Sequence, residues 1–203
     1  MINFKFLNTK FSVSVGFVGL ICLMLYIDRS GLILPSFIAS LIHETGHIFC
    51  LFFLKAPIEK IILKIGTAEI KGNFLVPRKS EIIMTFFGPF FNLLVFILTL
   101  LFYLNSKYMG LLNFSLINLI LGVFNLLPIS SLAGGTVLFL LLSSRLSASL
   151  SKKICIIISF ITLTSLFALG LLVFFKTKTN PTLILLCIYL LFSILLSKNK
   201  IFN

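Results

Sequence analysis

Leu41-Ile42-His43-Glu44-Thr45-Gly46-His47-Ile48-Phe49 is an H-E-x-x-H segment inside an apolar run long enough to cross a bilayer. His43 and His47 are the only two histidines in the chain. Four residues apart on a helix, they share one face and stand about 6 Å apart along the axis. That spacing suits two ligands of a single zinc ion, and Glu44 is placed to act as general base toward a metal-bound water. A charged side chain at the centre of a membrane helix costs roughly 2.5 to 3.5 kcal/mol, so such a cluster in lipid marks a functional site rather than structural polarity.

Composition places the surroundings of this segment in a membrane. The chain has 203 residues, 59% of them hydrophobic and only 11% charged, with a mean hydropathy of +1.19. These values exclude the ordinary soluble globular class and indicate an all-α polytopic membrane protein. A net charge of +12 would suit nucleic acid, but the basic residues lie between apolar runs instead of along an aromatic-interleaved face. Anionic lipid head groups are the expected partners, and nucleic acid is not. Cys22, Cys50, Cys155 and Cys187 lie within or at the ends of apolar runs without a C-x-x-C pair, which argues against a disulfide framework or a zinc ribbon.

Six stretches approach the roughly 20 apolar residues that a span needs: 11–27, 32–54, 82–104, 108–127, 154–175 and 181–197. The segment 132–142 is apolar but short, as in a partial or re-entrant helix. Met1 to Lys10 resembles the leading part of a signal peptide, yet no small-residue cleavage site follows, so 11–27 is read as a retained first helix. With the N-terminus inside, thirteen basic residues fall in inner segments and four, Arg29, Lys107, Lys176 and Lys178, in outer ones. This bias predicts that both termini are cytoplasmic. The topology then puts His43, Glu44 and His47, the cluster Gly88-Pro89-Phe90-Phe91-Asn92 and the cluster Asn125-Leu126-Leu127-Pro128 at one depth near the inner face.

Between the second and third spans, Ala56 to Ser80 changes character. Two short isoleucine-rich segments, 58–65 and 67–71, with Gly66 and Gly72 as punctuation, predict a small membrane-associated β-hairpin. It is either a connector or an edge that holds an extended peptide by strand addition. Gly88 and Pro89 fit the first turn of the third span. Asn92, Asn118 and Asn125 carry amides that must find partners in lipid, either between helices or at a site.

His43-Glu44-Thr45-Gly46-His47, Gly88-Pro89-Phe90-Phe91-Asn92 and the run from Asn125 to Gly135 together resemble the site-2 protease family of intramembrane zinc metalloproteases. Within it, they resemble the small bacterial members similar to the protease that processes a sporulation transcription factor. The resemblance covers a core of about 32–140 within a single membrane domain, 1–203, with 154–197 adding two C-terminal spans. It implies a zinc endopeptidase of the bacterial cell membrane that cleaves a membrane-tethered protein near the cytoplasmic face, under the control of a membrane regulator. It also implies His43 and His47 as zinc ligands, Glu44 as the catalytic base, and Gly88, Pro89, Asn92 and Asn125 as residues that shape the site or bind substrate.

The family's third ligand is an aspartate in an N-x-x-P-x-x-x-x-D-G pattern, and here Ala133 occupies that position. A methyl group cannot bind zinc, so the alternative expectation is an impaired relative that binds membrane proteins without cleaving them. Cys50 shares the histidines' helix face but lies about 10.5 Å along the axis from His43, too far to converge on the same ion.

Overall fold

The computed structural model describes residues 2–6, 9–56, 60–64, 67–71, 77–178 and 182–197. In chain order the elements are β1 (Ile2–Phe6), β2 (Thr9–Val13), α1 (Val15–Ile27), α2 (Ile33–Phe53), β3 (Lys60–Lys64) and β4 (Thr67–Lys71), followed by α3 (Arg78–Ser106), α4 (Met109–Asn125), α5 (Ala133–Leu142), α6 (Ala148–Thr177) and α7 (Thr182–Ser197). The chain divides into two compact units, 1–123 and 124–203.

In the first unit, the segment expected to be only a leader to the first helix is a pair of strands. β1 and β2 run antiparallel, β2 pairs with β3 in parallel, and β3 pairs with β4 antiparallel, giving one four-stranded sheet in chain order. The fold is mostly helical as expected, and the β3–β4 pair between α2 and α3 is one half of a four-stranded sheet and not a lone hairpin. Ile2-Asn3-Phe4-Lys5-Phe6 and Lys10-Phe11-Ser12-Val13 alternate apolar and polar residues with a period of two, which suits a half-buried strand. Ser12 and Ile62, cross-strand partners on the two central strands, are both buried. Glu59, Gly66 and Gly72 of the expected hairpin lie outside the described residues, as do Lys198 and Lys200 of the C-terminal basic group.

Three helices are long and apolar enough to cross a membrane among the described residues: Ile33–Phe53, Arg78–Ser106 and Ala148–Lys176. The shorter apolar helices are Val15–Ile27, Met109–Asn125, Ala133–Leu142 and Thr182–Ile194. α1 falls short because β2 takes the residues up to Val13. Between α1 and α2, the Asp28 carboxylate accepts hydrogen bonds from Ser30 N (2.8 Å), Ser30 Oγ (2.6 Å), Gly31 N (3.1 Å) and Ile33 N (2.9 Å). The Ser30 hydroxyl, then the Ile33 N–H, hold its pKa below the usual carboxylate range. Gly31, at φ +68°, supplies the left-handed step of this turn.

In the second unit, Ile129, Leu163, Leu190 and Ile194 form a buried cluster joining the 126–132 turn to α6 and α7. The hydrogen bonds that fix the turn come from serines. Ser130 N donates to Ser159 Oγ (2.9 Å), and Ser159 Oγ donates to Cys155 O (2.7 Å). Lipid offers little hydrophobic drive between helices, so polar bonds and close packing of small residues carry the association. Gly134 and Gly135 follow the same logic: an added Cβ would stand 2.5 Å from Leu127 O at the first and 2.7 Å from Ser130 Cα at the second. The turn folds back on the start of α5 so closely that only glycine fits.

Candidate metal centre

Gly46 lets α2 approach α3 at backbone distance. A Cβ there would meet Phe87 O at 2.5 Å and Gly88 Cα at 3.0 Å, so the two helices touch where neither has a side chain. His43 and His47 flank this contact on α2, and Gly88, Pro89 and Asn92 face it from α3. Gly88, Pro89 and Asn92 are all buried.

Pro89 does not open its helix. α3 begins at Arg78, eleven residues earlier, so the expectation of a first-turn proline is corrected. Polar Arg78-Lys79-Ser80-Glu81 extends the helix beyond the apolar run, where hydropathy alone stops short. An interior proline has no N–H for the carbonyl four residues back, here Thr85, and its ring crowds that turn. The neighbouring Met84 carbonyl is turned to use by α2: His47 Nδ1–H donates to Met84 O at 2.8 Å.

His43 Nδ1–H donates to Asn92 Oδ1 at 2.8 Å. With both Nδ1 atoms carrying their protons toward oxygen, both Nε2 atoms present bare lone pairs. These two nitrogens stand 3.3 Å apart, and the rings are nearly perpendicular, 80° between planes with centroids 5.0 Å apart. With both rings neutral, neither Nε2 donates to the other, and two lone pairs at this distance repel unless a proton or a metal cation lies between them. Two nitrogens bound to one tetrahedral zinc at about 2.0–2.1 Å would stand about 3.3 Å apart, which matches. Outer hydrogen bonds from Nδ1–H to an amide or main-chain oxygen are the usual support for imidazole ligands.

Gly88 leaves the seat clear. A Cβ on it would lie 2.7 Å from His43 Nε2 and 2.6 Å from His47 Cε1, in the space both lone pairs address. Glu44, half-buried one residue beyond His43, has no side-chain hydrogen-bond partner among the described residues. Its carboxylate is therefore not engaged in holding the helices together. The residues present fit a metal ion on the imidazole side, and no cluster of three His, Cys, Asp or Glu side chains completes it among the described residues. Cys50 is buried with a free thiol and joins no such cluster.

The remaining expected positions belong to the second unit. Asn125 is the last residue of α4, and Ala133 is the first residue of α5, directly before the Gly134-Gly135 close approach. Three contributors left no mark in the sequence or only a faint one. The carbonyls of Met84 and of Ala39, which accepts from Asn92 Nδ2 at 2.9 Å, are main-chain groups, invisible in residue identity. Asn118 was legible only as an amide in an apolar run.

The signature of peptidase family M50 matches residues 105–169, which includes Asn118, Asn125 and Ala133 but not the histidine pair. A zinc metalloprotease of Methanocaldococcus jannaschii is 31% identical over 162 residues, covering 77% of this chain. The chain spans 46% of that relative's length. The solved structure of a site-2 protease from Methanocaldococcus jannaschii superposes with a TM-score of 0.61 at 24% identity, covering 94% of this chain and 92% of that one, a likeness of fold.

Proposed function

Because this chain belongs to the site-2 protease family, peptidase family M50, and so to the membrane metalloproteases, we propose that it is an intramembrane zinc endopeptidase acting on a membrane-tethered protein near the cytoplasmic face. The observation that carries the reading is the pair of bare Nε2 atoms 3.3 Å apart above Gly88. Zinc held by His43 and His47 would polarise the scissile carbonyl and lower the pKa of a bound water. Glu44 would take the proton from the attacking water and pass it to the leaving amine, a role its uncommitted carboxylate suits. Asn92 and Met84 O keep the imidazoles in register, and Gly46 and Gly88 keep the helices close enough for both bonds to form.

The remaining parts of the reading follow from sequence. All six apolar stretches would cross the bilayer, α4 at the lower limit of length and α1 and α7 with flanking residues completing their spans, with both termini in the cytoplasm of a bacterial cell and the basic segments on anionic lipid. The sheet, with β1 and β4 at its edges, would receive an extended stretch of substrate, which supplies main-chain hydrogen bonds without demanding sequence. Asn125 would stand at the substrate, and a membrane regulator would govern access.

Ala133 favours a second reading, in which the metal is held weakly and the chain binds membrane proteins without cutting them. The two readings separate in one experiment. Purified full-length chain is mixed with a single-span reporter substrate, with and without chelator, alongside Ala133→Asp. Cleavage that chelation abolishes supports the endopeptidase. No cleavage by the chain as it stands, with Ala133→Asp gaining both activity and zinc, supports the binder. The carboxylate should raise zinc affinity by more than the roughly 10- to 100-fold that even an outer-sphere partner commands. Cleavage that survives chelation would contradict both.

A further inference from the structure

Asn92 and Asn118 are both 0% exposed, and between them they join α2, α3 and α4. Asn92 Nδ2 donates to Ala39 O (2.9 Å) and to Asn118 Oδ1 (2.9 Å), while its Oδ1 accepts from His43. Asn118 Nδ2 in turn donates to Phe114 O (2.9 Å). Each bond has a fixed sense. Phe114 O and Ala39 O are carbonyls and only accept, so both amides must turn their nitrogens to them. Asn118 therefore presents oxygen to Asn92, and Asn92 presents oxygen to His43. Turning the Asn92 amide over would set its oxygen against two other oxygens in a buried site, where unpaired polar groups are costly.

We infer that Asn118 on α4 is a positioning residue for the metal ligand His43: acting through Asn92, whose orientation it fixes together with Ala39 O, it helps hold His43 in the Nδ1–H tautomer that leaves Nε2 bare for the ion. A plain interhelical hydrogen bond would hold α3 to α4 without regard to which histidine nitrogen bears the proton. This network instead has a direction, running from the Phe114 carbonyl to the His43 ring. Both N–H groups of Asn92 are used within it, so Asn92 shapes the site and has no donor left for a substrate. The inference takes its purpose from the metal-site reading, but its geometry is independent of zinc and of proteolysis.

The test uses full-length chain, metal-free, with 15N-labelled histidine in lipid bilayers. Two histidines give a spectrum simple enough to assign, with His47→Gln identifying His43. The unsubstituted chain should show His43 with a bare Nε2 and a protonated, hydrogen-bonded Nδ1. Asn118→Asp, a neutral acid at this depth, keeps a carbonyl for Asn92 and an O–H for Phe114, and should preserve that signature. Asn118→Leu should let the Nε2–H tautomer appear and weaken zinc binding about tenfold, the lower end of outer-sphere effects. If Asn118→Leu does not fold, Asn118→Ala carries the same expectation. A His43 that is Nε2–H in the unsubstituted chain overturns the inference. So does a folded Leu or Ala variant with unchanged tautomer and zinc affinity. Absence of cleavage in any of these proteins bears on the protease reading and not on this one.

Discussion

Gly88→Ala should abolish zinc binding while leaving a folded protein. The added methyl would sit 2.7 Å from His43 Nε2 and 2.6 Å from His47 Cε1, well inside van der Waals contact and in the space where an ion would touch both nitrogens. Retreat of α3 would open the close helix contact at Gly46, where Gly88 Cα stands 3.0 Å from the place of an added Cβ. The rings must swing instead, and in doing so they give up the bonds to Asn92 and Met84 O. Overpacking of this size typically costs about 1–3 kcal/mol of stability, which a membrane helix bundle tolerates. Two metal bonds and two outer hydrogen bonds lost together exceed the roughly 10- to 100-fold effect of a single outer partner. Metal titration with a thermal-unfolding control checks this. Unchanged zinc affinity in Gly88→Ala would remove the seat from the account.

Glu44→Gln should do the reverse, keeping the metal and losing the chemistry. The Glu44 side chain forms no hydrogen bond among the described residues, so the amide disturbs no contact on which the imidazoles depend. It does remove the only carboxylate of the H-E-x-x-H segment, and a positioned general base contributes about 10²- to 10⁴-fold to rate. Zinc content at the unsubstituted level with cleavage down by that factor is the expected pair of results. Single-turnover cleavage of a reporter substrate, normalised to bound zinc, measures it. Full activity in Glu44→Gln would assign proton transfer to another group.

How much of this was readable beforehand follows from the kind of signal each residue carries. The histidine pair and Glu44 were legible because titratable side chains are rare in an apolar helix and their spacing matches the helical turn. Gly88 and Asn92 were legible as exceptions to a hydrophobic run, but what they do depends on which carbonyls they meet. Ala39 and Met84 act through main-chain oxygen, which any residue could supply. Pro89 was placed at a helix start because the apolar run begins near it. The helix starts eleven residues earlier in polar sequence, which hydropathy does not see. The N-terminal strands hid behind their own lysines: Lys5 and Lys10 drew attention to charge, while the alternation around them was the structural signal. Of the six apolar stretches read as spans, three form helices long enough to cross a membrane among the described residues, and the others form shorter apolar helices, because hydropathy marks an apolar run and not where its helix begins and ends. Gly134 and Gly135 read as part of a motif, and the structure adds the reason, a turn that leaves no room for a side chain.

The central claim is that His43 and His47 present their Nε2 atoms to one metal ion. Zinc K-edge X-ray absorption on the purified chain, loaded with one equivalent of zinc, tests it directly. The account predicts two imidazole nitrogens at about 2.0–2.1 Å, with the imidazole signature gone in the His43→Ala, His47→Ala double variant. A zinc shell without imidazole, or one unchanged in that double variant, would contradict it.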